Sequence, residues 1–201
     1  MRGLNLKCEM KPRRHARSLT HVIAGFATGG TEMMTLRLVR HWSGAVPQRV
    51  IALGSDRGAL REVFEASLPN RISSLGLRDV GGQKAFRAVS AAFRSDRTDA
   101  LLMNLFGRHH LAVALAARAA SVHSFFSWAG NPPPKGLAAR VPWAAVVAGS
   151  SAIGCPVAAC SETVMSGLRE LRVKLPPGSC VIENGVDVDD IASRASLARR
   201  S

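Results

Sequence analysis

Leu19-Thr20-His21-Val22-Ile23-Ala24 runs straight into Gly25-Phe26-Ala27-Thr28-Gly29-Gly30-Thr31-Glu32, and this stretch decides the fold. A short, mainly apolar run closed by glycine has the length and composition of a buried strand. Two glycines then let the chain turn tightly. Thr31 is placed to cap a helix running to about Trp42, with Glu32 in its first turn where a negative charge suits the helix dipole. A strand, a glycine turn and a helix make the first half of a strand–helix–strand unit.

The unit recurs downstream. Arg49 to Leu53 reads as a second strand, followed by a helix with Leu60, Val63, Phe64 and Leu68 on one face. Arg71 to Leu75 is a third strand, and the helix from Gln83 to about Ser95 turns Phe86, Val89 and Phe93 inward. Asp99 to Asn104 is a fourth strand, followed by an alanine-rich helix from about Arg108 to Ala120. Val122 to Phe126 is a fifth; then come the loop Asn131-Pro132-Pro133-Pro134 and a helix within 136–152. Pro156 to Cys160 and Ser179 to Ile182 are the sixth and seventh strands, with a helix between them capped by Ser161. Such alternation predicts a Rossmann-like three-layer α/β domain with a mostly parallel sheet, ligands sitting at the carboxyl ends of the strands.

Composition agrees. The chain has 201 residues, 47% hydrophobic and 20% charged, which excludes a disordered polymer and supports one domain. Residues 1–18 lack periodicity and carry Arg2, Lys7, Lys11, Arg13, Arg14 and Arg17; they read as a flexible basic arm without the apolar run of a signal peptide. The four cysteines have no paired spacing, which argues against a disulfide scaffold or zinc site and for a reducing, cytoplasmic setting. Val141 to Cys160 holds no charge, but its glycines and prolines suit a buried helix followed by a buried strand better than a membrane span.

Lys and Arg number 27 against 14 Asp and Glu, a net charge of +13 that favours anionic partners. The fingerprints G-x-G-x-x-G and the P-loop are absent. Two alternatives remain open: a basic nucleic-acid-binding protein, disfavoured by 5% aromatics and no tyrosine, and a nucleotide-binding Rossmann-like protein without transferase activity.

The opening 21–32, Thr98-Asp99-Ala100-Leu101-Leu102, Val157-Ala158-Ala159-Cys160-Ser161-Glu162 and above all Val181-Ile182-Glu183-Asn184-Gly185-Val186-Asp187 occur in an order that resembles the N-terminal domain of family 4 type retaining GT-B glycosyltransferases. The resemblance covers about 19–190, leaving 191–201 as a linker or tail. It implies one half of a GT-B fold, the half that binds the acceptor, in an enzyme of cell-envelope polysaccharide synthesis that moves a sugar from a nucleotide-sugar donor to a glycan or lipid-linked acceptor. Gly29, Gly30, Thr31, Asn104 and Asn131 become the expected substrate-binding residues, and Asn184, Gly185 and Asp187 an interdomain hinge. No cofactor or metal is implied. Separately, the basic arm with Lys84, Arg87 and Arg94 of the third helix reads either as peripheral attachment of a cytoplasmic domain to the anionic inner membrane face or as a solvated basic surface. The donor-binding domain would need about 150–200 further residues; the chain ends 14 residues after Asp187, so it is expected to be inactive alone. The family often has a histidine where this chain has Asn104, and His-Asn where it has Gly130-Asn131, so no catalytic residue is assigned. His109 and His110 are adjacent and read as polar residues at a helix start.

Overall fold

The computed structural model describes residues 16–77, 79–107 and 109–183. The greater part of the expected arm, 1–15, and the hinge residues Asn184, Gly185 and Asp187 lie outside the described residues.

Seven parallel strands form one sheet in the order β3-β2-β1-β4-β5-β6-β7. They are β1 (Leu19–Ile23), β2 (Gln48–Ala52), β3 (Ile72–Ser74), β4 (Ala100–Asn104), β5 (Ser124–Ala129), β6 (Val157–Ala159) and β7 (Cys180–Val181). The helices are α1 (Gly30–His41), α2 (Arg61–Ser67), α3 (Gly82–Ser95), α4 (His110–Ala119), α5 (Leu137–Ile153) and α6 (Glu162–Arg169). The expected three-layer Rossmann-like architecture is therefore present.

Handedness assigns the layers. Right-handed crossovers put α1 and α2, which lead leftward from β1, on one face, and α3 to α6, which lead rightward, on the other. The cores agree. Ile23, Val50 and Ala52 pack with Leu36, Val39 and Phe64 under α1 and α2. Val22, Ile51, Leu101 and Met103 pack with Val89, Phe93 and Val113 under α3 and α4. Strand order reverses between β1 and β4, whose ends lie side by side through the pairing of Ile23 with Asn104.

Local chemistry moved several boundaries. The helix α1 begins at Gly30 with extended Gly29 as its N-cap and no side-chain cap bond, so Thr31 does not cap it. Strand β5 starts at Ser124, not Val122, because the Val122 N–H closes α4 on Ala117 O. Ser161 does cap α6, accepting from the Val164 N–H at 3.3 Å. The Arg17 N–H donates to Asp99 Oδ2 at 2.7 Å, tying the chain before β1 to the start of β4. The expected buried helix of the charge-free stretch is a correction: α5 buries only Val147 and Ser150 and leaves Leu137 83% and Val141 59% exposed. No helix among the described residues is long and apolar enough to cross a membrane.

Candidate functional site

A cleft of about 370 Å³ opens at the carboxyl ends of β1, β2, β4 and β5, over the point where strand order reverses. Its walls are built from the residues just past each strand end. After β1 come Ala24 and, at the start of α1, Thr31 and Glu32; after β2 comes Gly54. Gly54 is required by close approach: its N–H bonds Ala24 O at 2.9 Å, and a Cβ there would sit 2.9 Å from that same oxygen.

The floor is Asn104, the last residue of β4, 1% exposed. Neither its Oδ1 nor its Nδ2 has a hydrogen-bond partner. An amide buried without partners costs roughly 1–3 kcal/mol, so a sheet end keeps one there only if something else completes its bonds. His109, at the N-cap position of α4, also lines the cleft, and both its ring nitrogens are shielded from solvent and unpartnered. It makes no cap bond. Both residues thus leave donors and acceptors unused at one cavity wall.

Aromatic rings make up the rest of the wall. Phe106 stacks against Trp143 of α5 with centroids 4.8 Å apart and against His110 at 5.0 Å. Trp128 of β5 lines the opposite side, followed by Gly130 and Asn131. His110 holds this loop: its Nδ1 lies 3.2 Å from Leu105 O and its Nε2 2.8 Å from Ser150 Oγ on α5. Burial lowers the His110 pKa to about 4, so the ring is neutral and bridges Leu105 O and the Ser150 hydroxyl, which itself donates to Val146 O at 2.8 Å. This pair is fully buried and has a structural role.

No lysine or arginine lines the cleft among the described residues, and Glu32 brings a carboxylate to it. Among the described residues, no group of three His, Cys, Asp or Glu side chains could hold a metal ion. Cys155 is buried, which pushes its thiol up to about 12, while Cys160 is half-buried and reaches Gly130 O at 3.2 Å.

Of the expected substrate-binding residues, Thr31, Asn104 and Asn131 line the cleft. Gly29 and Gly30 start α1 beside it without forming its wall. Sequence reasoning does not reach Glu32, Phe106, His109, Trp128 and Trp143 as cleft residues. Glu32 reads there only as a dipole partner, and nothing in the sequence brings Trp143 to Phe106. The residues after each strand end are the available signal, and His109 lies five residues past the end of β4.

No family model matches the chain, and no curated protein matches it. Solved structures do. HepE of Anabaena, in complex with UDP and glucose, superposes with a TM-score of 0.64 at 13% identity, over 90% of this chain and 50% of that one. A glycosyltransferase from Rickettsia africae superposes with a TM-score of 0.62 at 13% identity, over 92% and 50%. UDP-GlcNAc 2-epimerase from Neisseria meningitidis, bound to UDP-GlcNAc, gives 0.57 at 15% identity, over 90% and 49%. The chain spans about half the length of these structures, and its fold is that of one half of a GT-B fold.

Proposed function

We propose that this domain is the acceptor-side half of a sugar-transferring enzyme of GT-B type, and that its cleft seats a neutral sugar ring. The observation carrying this reading is Asn104, a cleft-lining residue at the end of β4 whose buried side-chain amide, one acceptor and two donors, has no partner within the fold. Neighbouring ring hydroxyls, each both donor and acceptor, complete such an amide. The faces of Trp128, Trp143 and Phe106 suit the apolar C–H faces of a pyranose. The Glu32 carboxylate at this wall disfavours a pyrophosphate beside it.

The neighbouring folds include transferases and epimerases that bind UDP or UDP-sugars, and that likeness supports a nucleotide-sugar chemistry for the complete enzyme. In this reading the nucleotide is held by a second domain reached through Asn184, Gly185 and Asp187. Transfer goes to a glycan or lipid-linked acceptor with retention of configuration, and the isolated domain has little turnover because only one reactant is positioned.

Calorimetric titration of the domain with simple glycosides and with UDP tests the reading. Millimolar binding of a glycoside that Asn104→Ala abolishes, with UDP no tighter, is expected. UDP binding at micromolar strength that is indifferent to Asn104→Ala contradicts it and favours a nucleotide site.

A further inference from the structure

The exposed surface of α5 carries an apolar stripe beside Arg140, the helix's one charged residue, which pairs with Glu170. Leu137, Val141, Ala145, Ala148 and Ala152 are all exposed and succeed one another at steps of four, four, three and four, a single stripe along the helix. Soluble domains rarely leave such a stripe facing water. The α5 helix has 17 residues and Pro142 inside it, which fits lying on an apolar phase and not spanning one.

The neighbours of α5 decide what covers the stripe. Helix α4 packs on α5, and α3 on α4, in the same layer. Together α3, α4 and α5 contain no Asp or Glu, and none occurs anywhere from residue 100 to 161. Lys84, Arg87 and Arg94 of α3 and Arg118 of α4 are exposed, as is Leu115 of α4 beside them and Lys135 just before α5. Asp79 lies just before α3 and Asp96 caps its end, paired with Arg49; the carboxylates on or just after α6 are paired as well, Glu170 with Arg140 at 3.4 Å and Glu162 with Arg169 at 3.6 Å. Acids gather instead on the opposite layer, with Glu32 on α1 and Glu62 and Glu65 on α2.

We infer that the α3–α4–α5 layer is a docking face for an anionic lipid bilayer. The α5 stripe enters the headgroup boundary while the arginines and lysines of α3 and α4 face the anionic phosphates. A protein partner would need an apolar ridge bordered by carboxylates. A bilayer offers both features over any area, and it tolerates the absence of side-chain hydrogen-bonding groups on the stripe. Each basic residue at an anionic surface strengthens partition several-fold, lost beyond a Debye length. The inference stands apart from the sugar cleft, which lies at the strand ends and not on this layer.

The test is co-sedimentation of the full chain with phosphatidylcholine vesicles, alone or with about 30% phosphatidylglycerol, at low and high salt. Pelleting with the anionic vesicles only, weakened by salt, is expected. Leu137→Glu with Val141→Glu is expected to weaken it by about tenfold, and Arg87→Glu with Arg118→Glu similarly. Arg37→Glu on α1 of the opposite layer leaves it unchanged. Leu137→Ser with Val141→Ser repeats the stripe test should the glutamates impair folding. Stripe variants that bind as tightly as the parent overturn the inference, because the basic residues before β1 then act alone. Equal binding to neutral vesicles also overturns it. So does a dimer in sedimentation equilibrium that the stripe variants dissolve while vesicles fail to pellet it, since the stripe then joins two copies.

Discussion

Asn104 carries the functional reading, and it gives that reading a thermodynamic signature. Its amide atoms are buried and unpartnered in the unliganded domain. Replacing it by leucine, which has the same branching and the same number of heavy atoms, removes the desolvation penalty and adds apolar contact at the end of β4. Asn104→Leu is therefore expected to raise unfolding stability by about 1–2 kcal/mol while abolishing glycoside binding. Denaturant midpoints and titrations on the same samples check this. A loss of stability would mean that the amide is already satisfied by the fold. The sequence pointed to Asn104 through the resemblance, which puts a site residue at the end of the fourth strand, and the structure places it on the cleft wall. His109 was not legible, since sequence shows two adjacent histidines but not that His109 lines the cleft while the ring of His110 is buried in the core. Thr31 sat between these cases: the position was legible, but the cap role was not, because extended Gly29 is the N-cap of α1, two residues earlier.

At the scale of elements, the loops after β1 and β2 are fitted to each other. The Leu60 N–H donates to Phe26 O at 3.0 Å, and Gly58, with φ +152°, lies so close that a Cβ would sit 2.4 Å from the same carbonyl oxygen. Gly58→Ala forces both loops apart and is expected to cost about 2–3 kcal/mol, read from urea unfolding. A change under half of that would show that the loops separate easily. The cap of α6 is smaller in scale: Ser161→Ala is expected to cost about 1 kcal/mol, with melting temperature as the readout. Element order was readable throughout, because apolar runs, turns and helical stripes alternate without interruption. Strand β5 was displaced because Ser124 and Ser127 dilute its apolar character, and Trp128-Ala129 read as loop although both are buried. For α5, apolarity promised burial, but burial requires a neighbour, and among the described residues none covers its outer stripe.

Across the whole molecule, two buried histidines couple stability to acidity. His21 of β1 lies 3.0 Å from Gln48 Oε1, and Gln48 Nε2 donates to Val39 O at 2.9 Å. Burial lowers the pKa of His21 to about 4 and that of His110 to about 4. Both rings are neutral in the folded domain and gain protons more readily when it unfolds. Their contribution is complete above about pH 6.5 and is lost as pH falls from there towards 4. Each accounts for on the order of 3 kcal/mol at the acid end of that window. Asp56 and Glu65, held down by hydrogen bonds from Arg61, push the same way at lower pH. Urea midpoints between pH 8 and pH 4 should fall steeply below 6.5; a flat profile across that window would mean that the rings reach solvent.

The sugar-ring assignment is tested most directly by following the Asn104 side-chain amide in ¹H–¹⁵N correlation spectra during titration with a neutral glycoside and, separately, with UDP. The account predicts that the glycoside shifts both Asn104 Nδ2–H resonances, together with the Trp128 and Trp143 indole N–H signals, and that UDP moves them less. Asn104 resonances that stay fixed with the glycoside but move with UDP would contradict it.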